Sequence, residues 1–399
     1  MKRLGVLVIG AHGAVASTLF AGVQLMLRGL VPRLGMLTEK AEATESIADW
    51  LDVVPLEGLV FGGWDPTFAN AFEAAQQHRV LPPERLLAVR EKMEAISAWP
   101  AIVPKGRLGS GRGVAADGHR AEIAVIRRNV EEFKKQNDVD QVVIVNLAST
   151  EPYLSECDVH QTLAAFERGL DENDPRINPA MRYFYAANLL GAPYCNFTPS
   201  LTNVAALREH ADKLGNPFAG MDGKTGQTLL KTALAPMFRV RRLHIEGWYS
   251  TNILGNNDGR VLAEPESNKT KVLSKASVLD SIVGYPVENH QVHIHYYKPR
   301  GDSKEAWDNI DLVGFAGIPM QMKINFLCQD SALAAPLVID LVRLLDVAKR
   351  RGEKGIQRQL SLFFKSPYTE PGSTAVHDLF KQEQLLLDWV KRHSGKGER

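Results

Sequence analysis

Net charge, cysteines and long apolar runs are all scarce in this 399-residue sequence, and each scarcity removes a class of function. Forty-seven Lys and Arg against 46 Asp and Glu leave a net charge of +1, so no global field recruits nucleic acid or a membrane surface, and any anion must be held locally. Cys157, Cys195 and Cys328 are odd in number and lack metal-ligand spacing. They argue against a disulfide scaffold and fit buried thiols in a reducing, cytoplasmic compartment. No apolar run reaches the roughly 18 residues a membrane helix needs. Lys2-Arg3 before an apolar stretch and Ala14-Val15-Ala16 imitates a secretion signal, but Gly10, His12 and Gly13 interrupt it where a signal core is most hydrophobic. His290, His293 and His295 invite a zinc reading, yet strand geometry puts only His293 and His295 on one face, and surface histidines fit better.

What is present reads as an α/β chain. Its length exceeds what one compact core usually serves, which suggests two domains or one with a large insertion. Residues 4–9 are a short apolar run suited to a buried parallel strand, and 17–27 carry apolar residues at helical spacing. Between them, Gly10-Ala11-His12-Gly13-Ala14-Val15-Ala16 is a variant of the dinucleotide fingerprint, whose glycines let backbone approach a pyrophosphate at a helix N-terminus. Residues 141–147 form a second buried parallel strand, ending in Ala148-Ser149-Thr150-Glu151, where open α/β sheets bind ligands. Residues 82–113 mix helix formers with a basic, glycine-rich stretch read as an exposed loop.

From a strand-like sequence at 240–249 the texture changes. Residues 292–297 alternate, with His293, His295 and Tyr297 on one face, and 320–326 alternate with Met320, Met322, Ile324 and Phe326 on one face. Period-two patterns predict half-buried antiparallel strands, hence an inserted sheet. An amphipathic helix over 331–347, interrupted near Pro336, and a last one over 379–390 follow. The predicted architecture is a Rossmann-like parallel-sheet domain over 1–245 and 327–399, with an inserted α+β domain over 246–326.

The polar stretch Leu254-Gly255-Asn256-Asn257-Asp258-Gly259, followed by Lys269, Lys271, Ser274 and Lys275, suits an anionic, polyhydroxylated ligand. A turn leading into a solvated helix start is the alternative. Gly223-Lys224-Thr225 is not a P-loop, because Phe218 stands where that motif needs its first glycine.

In order, Gly62-Gly63-Trp64-Asp65, Ala148-Ser149-Thr150-Glu151, Asn196-Phe197-Thr198-Pro199, the 222–228 segment Asp-Gly-Lys-Thr-Gly-Gln-Thr, the asparagine-rich loop, Gly301-Asp302-Ser303-Lys304, Cys328-Gln329-Asp330-Ser331 and Phe364-Lys365-Ser366-Pro367 follow the glycine turn. This series resembles the myo-inositol-1-phosphate synthase family over roughly residues 4–367. The resemblance implies catalytic NAD, a sugar-phosphate substrate, and conversion of glucose 6-phosphate to 1D-myo-inositol 3-phosphate. In that reaction C5 is oxidised, a proton leaves C6, the enolate attacks the C1 aldehyde, and the hydride returns to C5. Lysines suit such chemistry, since cations over a developing oxyanion and a proton carrier are both needed, and burial among like charges lowers a lysine pKa.

By resemblance, Lys271 exchanges the C5 hydroxyl proton, while Lys304 and Lys365 stabilise charge at the reacting oxygens. Lys275 and Asn256 hold phosphate and sugar, with Asn252 and Asp258 in the substrate set. Gly10, Ala11, His12 and Gly13 take the pyrophosphate turn and Asp65 the adenosine ribose. Ala148, Ser149, Thr150, Asp222, Thr225, Asn256, Asn257, Asp302 and Asp330 complete the cofactor set. The family further implies a cytoplasmic homotetramer built through the inserted sheet and admits a monovalent or divalent cation, whose ligands stay unassigned. The sequence departs from the family in its glycine turn, at Pro152 where Arg is common, and at Phe197-Thr198 where Gly-Ser is common. An NAD-dependent oxidoreductase or cyclase of another sugar phosphate is therefore the competing reading. A silent NAD-binding protein is disfavoured, having no chemical reason to keep four lysines at separated sites.

Overall fold

The computed structural model describes residues 2–40, 45–67, 70–103, 113–255 and 278–394. Six parallel strands, β1 (Leu4–Ile9), β2 (Leu59–Trp64), β3 (Gln141–Asn146), β4 (Tyr194–Asn196), β5 (Pro217–Gly220) and β10 (Gly355–Ile356), form one sheet in the order β10-β5-β4-β3-β1-β2. Every residue of β1 is buried, as a strand covered by helices on both faces requires. One core packs the Ala14–Leu27 and Asp330–Arg350 helices on one side of the sheet. The other packs the His119–Asn137 and Pro179–Leu189 helices on the opposite side.

A second sheet has the order β7-β6-β8-β9, with β6 at His244–Leu254, β7 at Asn289–Tyr296, β8 at Ser303–Val313 and β9 at Pro319–Gln329. Its inner face packs Trp248, Ile310 and Leu312 against the Gly226–Val240 helix and the Val278–Val287 segment, making a third core. The alternation read over 320–326 holds from Met322 onward, with Met322, Ile324 and Phe326 half-buried and the residues between them exposed, whereas Met320 near the strand's start is exposed.

Three local readings are corrected. The second sheet is mixed rather than antiparallel, because β7 pairs with β6 in parallel, the chain having crossed back to the start of β6 before entering β7. Residue 240 ends a helix instead of opening a strand; Leu243 N donates to Phe238 O, and β6 starts only after Arg242 in the left-handed region. The Asp330–Arg350 helix runs unbroken through Pro336, and its Val338–Ala348 stretch is buried all round. That burial removes the amphipathic stripe, and the polar residues it encloses are satisfied: Asp340 accepts from Leu37 N and from Thr38 N and Oγ1, while Arg343 donates to Val54 O and Thr38 O.

Residues 82–113 hold two short helices, Pro83–Ala88 and Arg90–Glu94, before the glycine-rich part passes outside the described residues. All three cysteines are free; Cys195 is buried, whereas Cys157 and Cys328 are half-buried rather than fully so.

Candidate active site

The carboxyl ends of β1, β2 and β3 open on one cavity of about 900 Å³, lined among others by Gly10, His12, Gly13, Asp65, Thr67, Ala148, Ser149 and Thr150. Gly10 sits at φ +84°, and a Cβ there would come within 2.9 Å of Ala148 Cα, so the turn needs glycine for both conformation and space. Gly13 caps the next helix without any side chain over its first-turn amides, leaving them to an anion. Asp65 is only 5% exposed. It organises the turn: Oδ2 accepts from His12 N at 2.9 Å, and Oδ1 accepts from Thr67 N at 2.9 Å and Thr67 Oγ1 at 2.8 Å. Ala11 is fully buried and donates to Trp64 O, bracing the turn from behind.

A second cavity adjoins the first, and the two share Gly13, His78, Leu147, Ala148, Ser149 and Thr150. Into it come Asp222, Thr225, Asn252, Lys304, Asp330 and Lys365. Lys365 Nζ lies 2.8 Å from Asp222 Oδ1. Lys304 Nζ lies 3.5 Å from both oxygens of Asp330, whose Oδ1 accepts from Thr225 Oγ1 at 2.7 Å. Backbone links hold these pieces: Lys365 N donates to Asp222 O at 2.7 Å, and Gly223 N to Phe197 O at 3.0 Å. Gly226 opens its helix at φ +54° with Lys304 Cε 3.8 Å from where its Cβ would be. Asp302 instead accepts from Ser331 N and Oγ at the start of the Asp330–Arg350 helix and is outside the lining of both cavities.

Lys304 and Lys365 are each paired with a carboxylate. Two further lysines are buried in the fold. Burial brings Lys224, bonded to Gln382 Oε1, down to about 7, and brings Lys231, 2.6 Å from His290 Nε2, down to about 8.

Lys271, Lys275, Asn256, Asn257 and Asp258 lie outside the described residues. Sequence reasoning missed Gln227, Thr228, Phe197 and His78, all of which line the second cavity. Gln227 and Thr228 belong to a segment already singled out, so only their assignment was lacking; nothing around His78 marks it. Among the described residues no cluster of three or more His, Cys, Asp or Glu could hold a metal, and no helix is long and apolar enough to cross a membrane.

A family model described as myo-inositol-1-phosphate synthase, an NAD-binding family, matches residues 4–391. The chain belongs to the myo-inositol-1-phosphate synthase family. Inositol-3-phosphate synthase 1 of Bacteroides thetaiotaomicron is 42% identical, with 99% of this chain and 96% of that protein covered. Inositol-3-phosphate synthase of Saccharomyces cerevisiae is 28% identical, with 98% and 85% covered. The crystal structure of inositol-3-phosphate synthase from Caenorhabditis elegans superposes with a TM-score of 0.90 at 26% identity, covering 99% of this chain and 86% of that one. The cavity at the glycine turn and the cavity holding Lys304 and Lys365 are neighbours that share a wall of six residues.

Proposed function

We propose that the two cavities form one active site, in which this enzyme of the inositol-3-phosphate synthase type converts glucose 6-phosphate to 1D-myo-inositol 3-phosphate with catalytic NAD. The observation that carries the reading is that Lys304, from β8, and Lys365, from beyond the parallel sheet, enter one cavity that abuts the Gly10–Gly13 turn. The cleft fits a dinucleotide: Gly10 leaves no room for a Cβ against the Ala148 backbone and so keeps the turn tight, and the helix capped by Gly13 has first-turn amides without a side-chain cap to meet a pyrophosphate. NAD held there would supply a reversible hydride acceptor for C5 of the open-chain sugar.

The protein's own part is electrostatic and acid–base. Asp330 and Asp222 hold the ammonium groups of Lys304 and Lys365 over the reacting oxygens, where they stabilise the developing enolate and alkoxide. Lys271 takes and returns the C5 hydroxyl proton, Lys275 and Asn256 hold the phosphate and sugar, and Asp258 and Asn252 belong to the same substrate-binding set. Asp65 takes the adenosine ribose, His12 belongs to the pyrophosphate turn, and Ser149 and Thr150 lie by the cofactor.

The parallel-sheet part, 1–245 with 327–399, is the NAD domain in this reading, and 246–326 is the catalytic and oligomerisation insert. The outer face of the second sheet exposes Tyr249 at 46%, Trp307 at 49% and Leu327 at 58%. Such a patch supports a homotetramer assembled through it. Three free cysteines support a cytoplasmic setting. Incubation with glucose 6-phosphate and substoichiometric NAD tests the reaction. Inositol phosphate without net NADH is expected, whereas accumulating NADH would favour a simple dehydrogenase of a sugar phosphate.

A further inference from the structure

Behind the lysine cavity, on the inner face of the second sheet, buried polar side chains join end to end. Asp308 of β8 is 3% exposed and accepts from Trp248 Nε1 at 2.6 Å, Ser250 Oγ at 2.7 Å and Gln227 Nε2 at 3.1 Å. Gln227 Oε1 in turn accepts from Asn252 Nδ2 at 2.5 Å. Asn252 is 2% exposed, lines the cavity, and keeps its Oδ1 buried with no hydrogen-bond partner.

Chemistry sets the direction of this chain. An indole N–H only donates, so the Asp308 oxygen facing Trp248 must accept. A carboxylate has no proton to offer Gln227, which therefore turns its NH₂ toward Asp308 and its carbonyl toward Asn252. Asn252 must use its own NH₂ inward, and its carbonyl oxygen is the atom left without a partner in a residue that lines the cavity. A buried carbonyl without a donor is destabilising and calls for a donor from a ligand.

We infer that Asp308 and Gln227 are positioning residues that orient Asn252 to accept a hydrogen bond from one hydroxyl of the sugar phosphate. This rests on the functional reading above and adds a specificity element to it. Asp308→Asn reverses the relay. Its Oδ1 stays with Trp248 and Ser250, its new NH₂ faces Gln227, and Gln227 and then Asn252 turn over, so that the cavity meets an amide donor in place of the acceptor.

The test compares glucose 6-phosphate with its 2-, 3- and 4-deoxy analogues by competition, using NAD-loaded parent and Asp308→Asn enzymes. The parent is expected to disfavour one analogue by about tenfold or more, as sites built to bind a hydroxyl do. Asp308→Asn should lose that discrimination at the same position only, with NAD affinity unchanged. Equal discrimination in parent and variant, none in the parent, or a loss spread over every position would overturn the inference. A parent that neither binds nor turns over glucose 6-phosphate overturns the functional reading itself and is recognised before any variant is made. If Asp308→Asn does not fold, Gln227→Met carries the same comparison, because it removes the acceptor that fixes the Asn252 amide.

Discussion

Lys304 Nζ stands 3.5 Å from each carboxylate oxygen of Asp330, and Thr225 Oγ1 donates to one of those oxygens. The carboxylate thus anchors the ammonium at the cavity wall. Asp330→Asn should leave the fold intact and lower turnover by about tenfold or more, because the ammonium loses its anchor and the site its preorganisation. Steady-state kinetics with a melting curve checks this; parental turnover would free Lys304 from dependence on Asp330.

Asp65 bears on both cofactor and backbone. Asp65→Ala should weaken NAD binding by about tenfold or more, the scale of one lost charged hydrogen bond. It should also lower the melting temperature, since His12 N and Thr67 lose their shared acceptor. Titration calorimetry showing unchanged NAD affinity would remove Asp65 from the site.

Burial gives Lys224 a folded pKa of about 7 against an ordinary value of 10.5. Between those values the unfolded chain binds more protons than the folded one, so this group makes stability rise as pH increases from about 7 toward 10.5. Lys224→Met should flatten that part of the profile. Urea midpoints of parent and variant at about pH 7 and pH 9.5 measure it; an identical rise in both would contradict the assignment.

Trp307 lies half exposed on the outer sheet face beside Tyr249 and Leu327. Trp307→Glu should split the assembly into smaller species, because a charge at the centre of an apolar contact is desolvated without a partner. Light scattering reads this directly, and a parent that is monomeric at micromolar concentration would exclude the interface.

Much of this was legible in the sequence, for local reasons. Residues 4–9 and 141–147 are apolar runs short enough to be only buried strands, and the glycines between strand and helix marked the cofactor turn. Asp222 and Lys365 were also picked out, but only the fold brings them within 2.8 Å, since contacts so distant in the chain leave no periodic trace. β7 was misread because alternation reports which face is buried and is silent on strand direction. Asp308 escaped notice for a related reason: a lone acid in an alternating strand looks like an outward charge until Trp248, Ser250 and Gln227 are seen to surround it.

The central claim is that Lys304 and Lys365 act on one substrate in one cavity, and inositol phosphate formation by Lys304→Ala, Lys365→Ala and the double variant tests it most directly. Each single replacement should cut turnover by at least about a hundredfold, the scale of removing an acid–base or oxyanion group. NAD affinity should change far less, and the double variant should lose much less than the product of the two single losses, as residues acting as a unit do. Turnover within a few fold of the parent in all three would contradict the account.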